Sequence, residues 1–139
     1  MLIVSSSLMA INTGEILSAS TQKQLHLQEN KLYIIDFFAS WCKSCKKELP
    51  LLNTIYQQKK INLIGINVDK NQQKAKIFSD RLHLSFPIIY DSKQQLIENF
   101  EPIGFPTLYY VKNGEILKII SGAVDDIDKI IQKDIKELK

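Results

Sequence analysis

Trp41-Cys42-Lys43-Ser44-Cys45-Lys46-Lys47-Glu48-Leu49-Pro50 holds the only two cysteines of the chain, separated by two residues, just after the apolar run Tyr33-Ile34-Ile35-Asp36-Phe37-Phe38. The run has the strand formers expected of a central strand covered on both faces. The residues after the cysteines carry helical spacing through Leu49, Leu52, Ile55 and Tyr56, which predicts a helix from Lys43 to about Lys59 with Pro50 inside it. The dithiol therefore sits where a strand gives way to a helix. A thiol at a helix N-terminus faces unpaired backbone N–H groups and the positive end of the helix dipole, which stabilise its thiolate. Cys42 is accordingly expected to be the exposed attacking thiolate, and Cys45, one turn on, the more buried thiol that resolves the mixed disulfide.

Outward from this stretch, Asn62 to Val68 reads as a second buried strand and Gln72 to Leu84 as a helix. Phe86 to Tyr90 reads as a short strand, and Ser92 to Phe100 as another helix. Thr107 to Lys112 and Glu115 to Ser121 alternate about Asn113-Gly114, a strong hairpin signal, and Asp125 to Leu138 closes as an amphipathic helix. Near the start, Leu8 to Ile11 and Glu15 to Ser18 flank Asn12-Thr13-Gly14 and read as an N-terminal β-hairpin, with Met1 to Ile11 as an opening strand and a weakly structured polar stretch after it. The whole predicts an α/β fold with a central mixed β-sheet flanked by helices.

Residues 1–139 are expected to form a single domain, since no repeat, low-complexity tract or linker divides them. The composition, 45% hydrophobic and 24% charged, supports a core without staples. A net charge of +3, scattered along the chain, argues against nucleic acid and leaves room for an acidic partner or a membrane surface. Both cysteines lie in the motif, so cysteine usage does not separate a reducing cytosol from an oxidising periplasm. Met1 to Ile11 has no basic residue before Lys23 and is too short to span a bilayer, so an exported form requires a signal or anchor outside this sequence.

The C-x-x-C after a buried strand, the acid within that strand and Gly104-Phe105-Pro106-Thr107 before the final hairpin resemble the thioredoxin superfamily, from about Leu8 to the C-terminus. Three features are most similar to its TlpA/ResA/CcmG branch of anchored, extracytoplasmic proteins, many of which serve cytochrome c maturation. These are Cys45-Lys46-Lys47-Glu48-Leu49-Pro50, Phe86-Pro87-Ile88-Ile89-Tyr90-Asp91, and the 61 positions from Cys45 to Pro106, which leave room for that branch's inserted strand-helix element. Lys43-Ser44 departs from the many relatives with proline before the second cysteine, which leaves the direction of electron flow open.

Candidate site residues follow. Asp36 lies in an expected buried strand, where an unpaired carboxylate is costly and tends to stay protonated. The resemblance gives it a role beneath the dithiol as proton acceptor for Cys45; the alternative is an acid reaching solvent at the sheet end. Glu48, three residues after Cys45, shares its helix face and is a candidate second relay, as the family pattern implies, or an ordinary solvated acid. Trp41 is expected to pack as a lid beside the dithiol. For Phe105-Pro106 the residues alone favour trans, whereas the resemblance implies a cis bond opposite the dithiol. There Phe105, Pro106 and Thr107 would dock an extended substrate segment as an added strand. Lys43 is a candidate for favouring the thiolate, Lys46 and Lys47 read as solvated charge, and His83, Tyr109 and Tyr110 as residues without a special role.

The resemblance implies a thiol-disulfide oxidoreductase, a protein-disulfide reductase with no cofactor beyond Cys42–Cys45 and no metal. Its implied partners are a protein disulfide substrate, including the C-x-x-C-H segment of apocytochrome c, and a membrane electron donor carrying reducing equivalents from cytosolic thioredoxin. A periplasmic or otherwise extracytoplasmic, membrane-tethered monomer is expected, with the cytoplasm as alternative. Rival functions are a general thioredoxin, a disulfide-forming oxidase, a non-catalytic module binding an apocytochrome or metallochaperone, and a domain in which the cysteines with His26 or His83 hold zinc, although neither histidine lies in a ligand-spaced pair.

Overall fold

The computed structural model describes residues 10–138. Five strands form one sheet in the order β3-β2-β1-β4-β5, where β1 is Leu32–Phe38, β2 Asn62–Asn67, β3 Ile88–Tyr90, β4 Thr107–Lys112 and β5 Glu115–Ser121. The first three strands are mutually parallel, whereas β4 runs antiparallel to β1 and to β5. The helices are α1 (Ala19–Gln24), α2 (Lys43–Gln57), α3 (Gln72–Arg81), α4 (Gln95–Phe100) and α5 (Ile127–Leu138). This is the mixed sheet and α/β layering read from the sequence.

Strand alternation sorts the core into two layers. Ile34 and Phe38 of β1 pack with Cys45, Leu49 and Leu52 of α2, Phe78 of α3 and Ile127 and Ile131 of α5. Ile35 and Phe37 point the other way, onto Leu25 after α1 and Leu96 and Phe100 of α4. Asp36 falls between them in sequence, on the face that α2 covers. Opposite Asp36, Gly65 of β2 has no room for a side chain, because a Cβ there would lie 2.7 Å from the Phe86 ring and 2.9 Å from the Phe38 ring.

The N-terminal hairpin is not present among the described residues. Leu8 and Met9 lie outside them, Ala10 and Ile11 are in no strand, and Ile16 makes only an isolated antiparallel bridge to Glu115. The reason is where the backbone groups go: Ile11 N–H donates to Phe100, and Gly14 and Leu17 N–H donate to the carbonyls of Ile116 and Gly114. The segment is used as an edge for β5 rather than folded on itself. The polar stretch after it forms α1, which Ser18 caps by accepting from Thr21 N–H.

Other elements end where capping dictates. Helix α3 stops at Arg81 because His83 enters the left-handed region, φ 53°, and the His83 and Leu84 N–H groups close back on Asp80 and Ser79. Helix α4 begins only at Gln95, where the Asp91 carboxylate accepts from the N–H groups of Gln95, Leu96 and Ile97. The β4–β5 turn has left-handed Asn113 and Gly114, φ 50° and 78°, between the paired Lys112 and Glu115, as a two-residue hairpin requires.

Candidate active site

The dithiol lies at the start of α2, beyond the end of β1. Cys42 is the N-cap, and its Sγ accepts from Cys45 N–H at 3.2 Å. One of the orphan donors of the helix is thereby aimed at the sulfur, the arrangement that favours charge on it once the bond opens. Cys42 and Cys45 are joined as a disulfide. The expected order of exposure is present but compressed: Cys42 is 7% exposed and Cys45 fully buried. Cys42 thus offers only a narrow face to solvent.

Two carboxyl groups lie on the elements that carry the dithiol, Asp36 on the face of β1 that α2 covers and Glu48 one turn after Cys45. Asp36 is fully buried and neither of its oxygens has a hydrogen-bond partner in the protein; one oxygen of Glu48 is also unpartnered. Burial holds the Asp36 carboxyl well above the ordinary carboxylate range, and the nearby charge of Glu48 pushes it in the same direction. Burial alone raises Glu48 to about 7. Neither acid is exposed on the surface: Asp36 is fully buried and Glu48 nearly so. A hollow of about 250 Å³ beside Glu48, between α2 and the residues before α5, is lined by Ser44, Leu51, Val124 and Asp126 and gives this acid an outlet to solvent.

The lip of the site is aromatic. Trp41 is 64% exposed and meets the Phe105 ring edge-on, with centroids 5.4 Å apart. The Phe105–Pro106 bond is cis. Pro106 is buried and its carbonyl accepts from Gly122 N–H. Thr107 is fully buried, its hydroxyl donates to the Gly104 carbonyl at 2.5 Å, and its backbone is registered with Phe37 and Ser121. Its side chain shapes the loop from within and is not presented at the surface.

One group central to the site escaped sequence reading. The Asp69 carboxylate, after β2, accepts from Ser40 N–H at 2.9 Å, from the Ser40 hydroxyl at 2.8 Å and from the Asn67 side chain at 2.8 Å. It pins the turn that presents Cys42. The only signal was an acid just after a buried strand, which by itself reads as a loop residue. Among the described residues no three of His, Cys, Asp and Glu gather as a metal site, and none of the helices is long and apolar enough to cross a membrane.

Residues 12–119 match the AhpC/TSA family. The chain belongs to that family. Among curated AhpC/TSA-like relatives, the thiol-disulfide oxidoreductase ResA of Geobacillus kaustophilus is 30% identical over 70% of this chain and 60% of its own length. The sporulation thiol-disulfide oxidoreductase A of Bacillus subtilis is 36% identical over 61% of this chain and 56% of its own. The chain thus spans less than two thirds of these relatives. Among solved structures, StoA from Bacillus subtilis superposes with a TM-score of 0.69 at 30% identity, covering 76% of this chain and 83% of that one. A DsbE-type protein from Chlorobium tepidum gives a TM-score of 0.75 at 20% identity over 92% and 98% of the two chains, a likeness of fold alone. The thioredoxin-like fold and the kinship with ResA read from the sequence both hold, and StoA joins ResA among the relatives of this AhpC/TSA-family chain.

Proposed function

We propose that residues 1–139 form one thioredoxin-like domain that reduces protein disulfides by dithiol exchange. The observation that carries this is the Cys42–Cys45 disulfide at the α2 N-terminus together with two buried, unpartnered carboxyl groups. In the reduced protein the Cys42 thiolate attacks one sulfur of the substrate disulfide. A Cys42–substrate disulfide forms, and the substrate's other sulfur leaves as a thiolate that takes a proton from water. Cys45 then gives its proton to the Glu48–Asp36 pair, in the state in which Glu48 is ionised, and attacks Cys42 Sγ. The Cys42–Cys45 bond forms, and the substrate's second sulfur leaves with the electron pair and is protonated. Two electrons pass to the substrate, and a thiol reductant must restore the dithiol.

The substrate segment lies extended beside Phe105-Pro106, with its apolar side chains against Trp41 and Phe105. The kinship with ResA supports an extracytoplasmic, membrane-tethered monomer, an apocytochrome c C-x-x-C-H segment as substrate, and a membrane protein as electron donor. The test is reduction of a disulfide-bonded C-x-x-C-H peptide together with the equilibrium potential in defined thiol buffers. Turnover that vanishes in Cys42→Ser, with a potential at or below roughly −220 mV, supports a reductant; a value near about −120 mV makes the protein an oxidant. Retained peptide affinity without any turnover in the unsubstituted protein would identify a binding module instead.

A further inference from the structure

A second concave surface adjoins the dithiol on the flank of α2 away from Glu48. It is a groove of about 250 Å³ between α2 and α3, walled by Lys46, Lys74 and Arg81 and floored by Ile77, Phe78 and Leu82. Ser40, two residues before Cys42, and Lys46, the residue after Cys45, both line it, so the groove reaches the redox site. Lys74, Ile77, Phe78 and Arg81 recur at the spacing that places them along one stripe of α3. Asp80 lies about 120° round the helix from Lys74 and does not enter.

Among the described residues none of these three cations is in an ion pair. No carboxylate lines the groove, and the ion pair found among the described residues, Lys118–Asp134, is elsewhere. Asp69, which touches Ser40, is buried and its oxygens are taken up by Ser40 and Asn67. Beside the three cations Ile77 is 44% exposed, a large apolar side chain left in contact with water.

We propose that this groove docks an acidic segment of the protein partner, a short extended stretch in which carboxylates flank one apolar side chain. The apolar side chain sits on Ile77, Phe78 and Leu82 while the carboxylates face Lys46, Lys74 and Arg81. The concave form and apolar floor fit a single inserted side chain, whereas the headgroups of a bilayer present a broad sheet of charge to a convex surface. The proposal deepens the disulfide-exchange reading by giving the partner a charge signature, and it rests on that reading only for what the partner does. Its consequence is selectivity: partners with acidic flanks are held beside Cys42, and neutral ones are not.

The test uses two fluorescent, cysteine-free peptides that differ only in a Glu-Leu-Glu or a Gln-Leu-Gln core, with binding read by anisotropy at low salt. The acidic peptide is expected to bind about tenfold tighter. The double substitution Lys74→Gln/Arg81→Gln and addition of about 0.5 M NaCl should each erase the difference. Equal affinities, no binding by either peptide, or a preference that survives the double substitution overturns the proposal. So does the alternative in which the acidic peptide is not preferred while phosphatidylglycerol vesicles bind the protein and the double substitution abolishes that binding. Because the peptides lack cysteine, these outcomes are independent of disulfide turnover, which insulin reduction reads separately.

Discussion

Replacing Glu48 by glutamine should change how stability depends on pH. In the oxidised protein burial raises the Glu48 pKa to about 7, against roughly 4.3 in an unfolded chain. Between those values the folded protein keeps the proton and the unfolded chain releases it, so the unfolded state binds fewer protons and stability falls as pH rises. At about 1.36 kcal/mol per pH unit, the loss attributable to Glu48 reaches about 3–4 kcal/mol once pH exceeds the folded value. Asp36, raised for the same reason, adds a loss of the same sign. The glutamine side chain does not titrate, and removing the Glu48 charge also relieves Asp36. The substituted amide meets a site where one oxygen already lacks a partner, which costs about 1–3 kcal/mol at every pH. The stability difference between variant and parent should therefore move in the variant's favour by about 3 kcal/mol from pH 4.5 to pH 8. Urea unfolding followed by far-UV circular dichroism, with the disulfide intact, measures it. A difference flat across that range would refute the assignment of Glu48 as a buried, proton-holding carboxyl group.

Asp69→Ala leaves the N–H and hydroxyl of Ser40 and the Asn67 amide without their acceptor, and should cost about 2–4 kcal/mol in urea unfolding while slowing disulfide exchange at Cys42. Gly65→Ala drives a methyl group into Phe86 and Phe38 and should lower stability by about 1–3 kcal/mol, read as a lower Tm. Trp41→Ala, at an exposed position, should change stability by less than about 0.5 kcal/mol yet raise KM for a peptide disulfide several-fold; an unchanged KM would remove Trp41 from the docking surface.

The parts legible in the sequence are those set by local pattern. Continuous apolar runs gave β1 and β2, the Asn-Gly dipeptide gave the β4–β5 turn, and the motif spacing placed Cys42, Cys45 and Glu48 on the first turns of α2. Asp36 was legible because an acid inside an apolar strand is a conflict that calls for a reason. What escaped was decided by partners distant in sequence. The segment before α1 looked like a hairpin because its turn residues suit one, yet its N–H groups pair with carbonyls far along the chain, in β5 and the turn before it. The start of α4 depends on Asp91 reaching forward to three amides, and the importance of Asp69 on a contact with Ser40, 29 residues earlier. Thr107 is placed by burial at the sheet end, where its hydroxyl turns inward.

The Asp69 clasp bears on how the sulfurs part. Ser40 is fastened to the residues that follow β2, and Val68 N–H is fastened in turn to the Phe38 carbonyl, so the ground beneath Cys42 moves with the sheet. Cys45 instead belongs to a helical turn, closed by the contact of Lys46 N–H with the Cys42 carbonyl. When the bond between the sulfurs is broken, one remains with a rigid platform and the other with a rod. Lys43-Ser44 is the shortest path of chain between the two sulfurs. Both residues are already wound into the first turn of α2, so the geometry of that turn governs how the two thiols sit once they are parted.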